Sequence, residues 1–195
     1  MTALAAAFLI STNAPAAEVL ANCRATIPSD VELRGRIVLR SRKGIPQAEY
    51  GYDLVRRAGA TDLRLTKDDK DVEFEKSGQI LGTDVTWSDL TLDYLWWDDV
   101  SYDAEREGES VHGQVCTVLV MKKGERQVRV WVDRKTGALM QAEETKDGKA
   151  ARRLWGTRLK KFGERWMANV MEVETVGSGH RTKITVEELK VEEHK

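Results

Sequence analysis

The stretch "VRVWVDRKTGALMQAEETKDGK", Val128 to Lys149, contains two runs of residues that end at turns. In the first run, valines occupy every second position, which is the period of a β-strand. Lys135-Thr136-Gly137 separates the two runs, and Asp147-Gly148 closes the second with a dipeptide typical of two-residue hairpins. The stretch therefore predicts consecutive antiparallel strands.

Runs of the same kind continue to the end of the chain, and each is bounded by a turn that contains glycine. They are residues 114–123, 126–133, 138–145, 149–162, 165–176 and 181–191. Strands at this regular spacing predict an antiparallel meander. In the run at residues 126–133, Trp131 points away from the valine face, so we expect large apolar side chains on both faces of the sheet.

The first third of the chain combines a helix pattern with a strand pattern. Val19, Leu20 and Cys23 recur at helical spacing, and Pro28 ends the run. From Val31 onward, apolar residues alternate with mostly basic ones, as in a strand with one buried face. The sequence predicts a mainly β chain of the α+β class with an N-terminal helix.

Composition excludes several classes of function. The chain has 195 residues, 41% of them hydrophobic, which is enough for a buried core. Its 31 Lys and Arg residues nearly balance its 32 Asp and Glu residues, so no long-range positive field exists to attract nucleic acid. No run reaches the roughly 18 apolar residues of a membrane span.

The N-terminal residues resemble the end of a secretory signal peptide. An apolar block, residues 3–10, precedes Ala14-Pro15-Ala16, which has the small residues that signal peptidase reads. We predict that residues 1–16 are a signal remnant and that residues 17–195 form a single domain in the periplasm. The alternative is an Ala-rich N-terminal helix that remains on the protein.

The two cysteines leave two alternatives open. Cys23 and Cys116 either form one disulfide in the periplasm or remain buried thiols. A lipobox has a small residue directly before its cysteine, and Asn22 stands there instead, which disfavours lipid anchoring at Cys23.

No motif for catalysis or metal binding is found. His112, His180 and His194 have no metal-ligand spacing, and the Gly177–Gly179 turn lies between two strand patterns rather than between a strand and a helix. We therefore predict no catalytic residue, no metal and no cofactor, and a protein that is not an enzyme.

Five segments resemble, in their order, the outer-membrane lipoprotein-sorting (LolA/LolB-like) family. They are residues 80–90, 112–120, 128–149, 162–173 and 180–189. The resemblance implies an incomplete β-barrel, formed by a curved antiparallel sheet, whose apolar concave face is covered by a short helical lid. It also implies carriage of acyl chains or lipoproteins across the periplasm. No arginine here can be matched by position to the lid-latching arginine of LolA.

Aromatic residues concentrate in "LTLDYLWWDDVSYD", Leu90 to Asp103. We expect a short turn or helix at Thr86–Leu90, followed by an extended run in which Leu92, Tyr94 and Trp96 share one face. The predicted apolar cavity is lined by Leu90, Leu92, Tyr94, Trp96, Trp97, Trp131, Leu139, Trp155, Trp166 and Met171.

The predicted function is lipid binding and transport in outer-membrane lipoprotein sorting, by an exported carrier with no transmembrane segment in its mature chain. Its predicted partners are lipid acyl chains or lipoproteins, together with envelope proteins that exchange them. The alternative is an envelope module that uses the same half β-barrel to bind or sense another protein without lipid cargo.

Overall fold

The structure is a computed structural model that describes residues 15–57, 60–162 and 165–191, apart from the side chains of Leu159, Arg165 and Trp166. The predicted signal remnant lies outside these residues, except for Pro15 and Ala16. The described chain divides into two compact units. The first unit contains residues 15–27 and 94–148, and the second contains residues 28–93 and 149–191.

Strands dominate the described chain. They are β1 (Val31–Ser41), β2 (Pro46–Arg57), β3 (Ala60–Lys67), β4 (Lys70–Asp71), β5 (Asp99–Tyr102), β6 (Ser110–Val111), β7 (Gln114–Lys123), β8 (Arg126–Asp133), β9 (Leu139–Lys146), β10 (Lys149–Phe162), β11 (Arg165–Thr175) and β12 (His180–Val191). The α-helices are α1 (Ala16–Ala25) and α2 (Trp87–Thr91), and 3-10 turns lie at Ile80–Gly82, Asp93–Trp96 and Ala104–Arg106.

In the second unit, the antiparallel strands follow the order β4-β3-β2-β1-β12-β11-β10. A bulge lies between Arg34 and Gly35 on β1, where the strand pairs with β12. A Cβ at Gly35 would lie 1.8 Å from the carbonyl oxygen of Thr185. Only glycine allows the two backbones to come this close at the bulge.

In the first unit, the antiparallel order is β5-β7-β8-β9, with β6 paired to the other end of β7. Helix α1 packs against β5 and β7, and buries Val19, Leu20 and Cys23. On β8, Val130 and Trp131 are both buried although they point to opposite faces. The expectation of a sheet with large apolar side chains on both faces is therefore confirmed in this unit.

The fold class predicted from the sequence is confirmed. The chain is mainly β and antiparallel, it begins with a helix, and within the described residues neither strand order closes into a barrel. The predicted extended run at Leu92 to Trp96 is wrong, because Leu92 adopts a left-handed conformation with φ of 55° and a 3-10 turn follows it. No helix in the described part of the chain has the length and apolar character needed to cross a bilayer.

Candidate functional site

One face of the sheet in the second unit is apolar across six strands. The register places Leu54 opposite Leu63, and Ile37 opposite Ile184, which in turn lies opposite Met171. We call this surface the apolar face; its members are Ile37, Tyr52, Leu54, Leu63, Leu65, Leu154, Met171, Val173, Ile184 and Val186. All except the half-buried Met171 are buried. The opposite face of β1 and β2 carries exposed ion pairs such as Arg34–Asp53.

Residues 80–93, here named the covering segment, form a 3-10 turn followed by α2. The Asp89 carboxylate accepts hydrogen bonds from the backbone N–H and the hydroxyl of Thr86 (2.7 and 2.9 Å), and these bonds fix the start of the helix. The helix ends at Thr91, because the left-handed conformation of Leu92 stops it. The buried apolar side chains of the covering segment are Ile80, Val85 and Leu90. The prediction of a short helix at Thr86–Leu90 is confirmed.

Arg152 on β10 anchors the middle of the covering segment, residues 84–89, to the sheet. Its side chain shares the face of Leu154, two residues along the strand. Nη2 of Arg152 donates to the carbonyl oxygen of Asp84 at 2.7 Å and to the Asp89 carboxylate, and Nη1 donates to the Thr86 hydroxyl at 3.2 Å. One guanidinium therefore holds three residues of the segment.

Asp84, which is fully buried, anchors the start of this stretch to β11 and β12. Its backbone N–H donates to the hydroxyl of Thr182 at 2.9 Å, and its carboxylate accepts from that hydroxyl at 3.0 Å. The carboxylate also accepts the backbone N–H of Thr175 at 3.1 Å and lies 3.0 Å from Nδ1 of His180. A buried carboxylate with this many donors is well compensated for its lost hydration.

Arg56 on β2 anchors Thr91, the last residue of α2. It lies in phase with Tyr52 and Leu54 on the apolar face, is buried, and donates from Nη2 to the carbonyl oxygen of Thr91 at 2.7 Å. Burial lowers the pKa of Arg56 below its ordinary value. Because the anchors lie at β2 and at β10 to β12, we infer that the segment crosses the apolar face and packs its buried side chains on it.

The carboxyl of Asp89 is almost fully enclosed. Burial raises its pKa above the ordinary value, and this effect exceeds the lowering produced by Arg152 and by the hydrogen bonds from Thr86. The ion pair at α2 is therefore desolvated rather than water-screened.

The sequence-predicted cavity residues divide between the two units. In the second unit, Leu90 is buried in the covering segment, Leu92 is half-buried at its end, and Met171 lies on the apolar face. Trp155 lies on the opposite face of the sheet, where the Arg181 guanidinium sits 4.8 Å from the centre of its ring. The side chain of Trp166 lies outside the described residues.

The other predicted residues lie in the first unit. Tyr94 and Trp97 are buried and meet edge to face at 6.5 Å, while Trp96 between them on the chain is 48% exposed. Trp131 is buried, and its indole N–H donates to Glu109 at 2.9 Å. Leu139 is half-buried.

Trp131 is packed by the polypeptide of its own unit. Its ring lies in a buried cluster with Val111, Cys116 and Val118. Both Cys116 and Cys23 are free and buried, so the structure has two buried thiols and not a disulfide at these positions. Within residues 15–57, 60–162 and 165–191, no group of His, Cys, Asp and Glu residues could hold a metal ion.

The anchors Arg56, Asp84 and Arg152 were not identified from the sequence. A signal for the two arginines was present, because each lies in phase with apolar residues of its strand: Arg56 with Leu54, and Arg152 with Leu154. A charged residue at an inward position must find a partner inside the protein. No comparable pattern marks Asp84.

Comparisons with known proteins support the fold. A family model described as "Uncharacterized protein" matches residues 69–194 of the chain. No curated protein matches. A domain assigned to outer-membrane lipoprotein sorting, from Vibrio parahaemolyticus, is similar with a TM-score of 0.66 and 15% identity over 89% of this chain and 90% of that one.

Two further solved structures are similar. A LolA superfamily protein from Nitrosomonas europaea gives a TM-score of 0.69 and 13% identity over 93% of this chain and 96% of its own. A DUF1329 family protein from Desulfovibrio piger gives a TM-score of 0.65 and 14% identity over 91% of this chain and 93% of its own. Because the sequence identities are low, the similarity shows a shared fold and nothing more. It confirms, as a likeness of fold, the LolA-like resemblance inferred from the sequence.

Proposed function

This chain belongs to the family whose model, described as "Uncharacterized protein", matches residues 69–194, and we propose that it is an exported, non-enzymatic carrier that binds the acyl chains of lipids or lipoproteins. The observation that carries the proposal is the apolar face in the second unit, to which polar anchors join residues 84–91 of the covering segment. The similarity in fold between this chain and the lipoprotein-sorting domain from Vibrio parahaemolyticus supports the same role.

Acyl binding requires an apolar surface that can be uncovered. Burial of one CH₂ group contributes about 0.8 kcal/mol, so a chain of roughly ten methylenes gains enough to offset the cost of ordering it. The anchors at Arg56 and Arg152 are hydrogen bonds and an ion pair, and water can replace these when the segment moves away. An acyl chain would then take the place of Ile80, Val85 and Leu90 on the apolar face.

The first unit offers a second apolar group. Trp97 is buried against Tyr94, and its Nε1 atom has no hydrogen-bond partner among the described residues. The exposed Trp96 beside it provides apolar surface where a cargo could make first contact.

The test is lipid binding by the full chain. We expect native mass spectrometry of protein released from membranes to show an added lipid mass, and a fluorescent fatty acid to bind saturably. Met171→Gln, on the apolar face, should weaken this binding several-fold, whereas Thr157→Gln, at an exposed position of β10, should leave it unchanged. A folded protein that carries no lipid and binds no fatty acid would contradict the proposal.

Export is tested separately. We expect the protein expressed in a Gram-negative host to be recovered from the periplasmic fraction, with an N-terminus that begins at residue 17. Recovery from the cytoplasm with an intact N-terminus would contradict export and leave the lipid-binding result to stand on its own.

A further inference from the structure

A polar cavity of about 450 Å³ lies in the second unit, between the β1–β2 turn and the β11–β12 turn. Its charged lining residues are Arg40, Arg42, Glu172, Glu174, Arg181 and Lys183. On β12, Arg181 and Lys183 alternate with Thr182, so they point away from the apolar face. The two cations therefore lie on the side of the sheet opposite the apolar face, whereas Thr175 and His180 of the lining contact Asp84 of the covering segment.

The two glutamates of the lining already have a cationic partner. Arg181 donates from Nη1 to Glu172 at 2.9 Å and from Nη2 to Glu174 at 3.0 Å, while its guanidinium stacks over Trp155. This arrangement fixes Arg181 on one wall. Arg181 thereby neutralises part of the charge of Glu172 and Glu174, and its own N–H groups are used by these two carboxylates.

The other three cations have no such partner. Among the described residues, no carboxylate lies within ion-pair distance of Arg40, Arg42 or Lys183, although Glu172 lies opposite Lys183 in the β11–β12 register. Together with Arg181 they set four cationic groups against two carboxylates in the lining. The cavity therefore has a local positive charge in a chain whose net charge is −1.

Arg40 points to a ligand more directly. It is half-buried, and its Nε atom is buried without a hydrogen-bond partner. Folded proteins rarely leave such a donor unpaired, because the water that it loses on burial must be replaced by another acceptor. The register places Arg40 and Lys183 on the same face of neighbouring strands, so an anion in the cavity would meet the guanidinium of Arg40 and the ammonium of Lys183 together.

We infer that this cavity binds a phosphate group. Arginine forks match phosphate oxygens in a bidentate geometry, and a lysine adds a point charge from the neighbouring strand. The cavity is large enough for a phosphate with a small attached group, and three of its lining residues, Gly44, Gly177 and Gly179, contribute no side chain to it. The phosphate belongs either to a small soluble phosphomonoester or to a phospholipid headgroup.

Calorimetric titration of the full chain tests the inference, with inorganic phosphate and glycerol phosphate as probes and sodium chloride of matched ionic strength as the blank. Flotation with phosphatidylcholine vesicles, with and without phosphatidic acid, tests the headgroup. We expect saturable binding in at least one arm. Arg40→Gln and Lys183→Gln should each weaken it at least tenfold.

Lys43→Gln is the matched control, because Lys43 belongs to the same β1–β2 turn but does not line the cavity. It should change the affinity less than twofold. Binding of glycerol phosphate alone would identify a soluble ligand, and retention on phosphatidic acid vesicles alone would identify a headgroup.

The inference is overturned if neither arm shows binding, or if Lys43→Gln weakens binding as much as the two cavity variants do. Because Lys183 is half-exposed, Lys183→Gln is expected to fold even if Arg40→Gln does not, and circular dichroism of each variant checks this. Fatty-acid binding by the same variants should be unchanged, which separates this result from the carrier proposal.

Discussion

Arg152 on β10 donates a hydrogen bond to the carboxylate of Asp89 in helix α2, although the two residues are 63 positions apart in the chain. Their side chains are only 14% and 9% exposed. The pair joins the covering segment to the sheet of the second unit within a desolvated site. Its energetics therefore differ from those of the exposed ion pairs on the other face, such as Arg34–Asp53.

Breaking this pair should be costly. Arg152→Gln leaves the buried Asp89 carboxylate without its cation, and we expect the free energy of unfolding to fall by about 3–5 kcal/mol. Urea denaturation measures it. Arg153→Gln, at the exposed neighbouring position, should cost less than about 1 kcal/mol. In a double-mutant cycle with Asp89→Asn, strictly additive effects would show that the two side chains do not interact in solution.

The raised pKa of Asp89 makes stability depend on pH. Above the ordinary value of 3.8 and below the folded pKa, the native protein holds a proton that the unfolded chain has released. The contribution of Asp89 to stability is therefore present at low pH and lost as pH rises through the folded pKa.

Asp89→Asn cannot titrate at this position and serves as the reference. We expect wild-type stability to fall relative to this variant as pH rises from 3.8, by at most about 1.4 kcal/mol per pH unit. Urea melts at several pH values measure the difference. A rise in the relative stability of the wild type would mean that Arg152 lowers the pKa of Asp89 by more than burial raises it.

Removal of the anchor at β2 should loosen the covering segment. Arg56→Gln deletes the hydrogen bond to the Thr91 carbonyl, and we expect faster amide hydrogen exchange in residues 80–93 and faster uptake of a fluorescent fatty acid. Arg57→Gln is the control, because Arg57 is exposed and pairs with Glu32 on the opposite face. Unchanged exchange and uptake in Arg56→Gln would show that this anchor does not hold the segment.

Both thiols should be unreactive in the folded protein. Burial raises the pKa of Cys23 to about 12 and that of Cys116 to about 11, so the nucleophilic thiolate is scarce at pH 8. We expect neither cysteine to react with iodoacetamide until guanidinium unfolds the chain, when both should be alkylated. Mass spectrometry counts the added groups. Failure of alkylation under denaturing, non-reducing conditions would instead reveal a disulfide.

The second half of the chain could be predicted closely from its local pattern. The runs at 114–123, 126–133 and 149–162 coincide with β7, β8 and β10, because apolar alternation and glycine turns act over a few residues and need no distant contact. The same reasoning was wrong for Leu92 to Trp96. Alternating apolar residues there suit a strand, but a left-handed Leu92 and a 3-10 turn place Tyr94 and Trp97 together instead.

The sequence by itself determined the long strands of the second half, the N-terminal helix and the antiparallel class of this protein, since each depends on the spacing of neighbouring side chains. Only the tertiary structure decided which aromatic rings share a unit, that Trp155 lies opposite the apolar face, and that Arg56 and Arg152 hold the covering segment. These relationships join residues tens of positions apart. They follow from strand register and from the need of buried charges for partners, and local periodicity does not encode either.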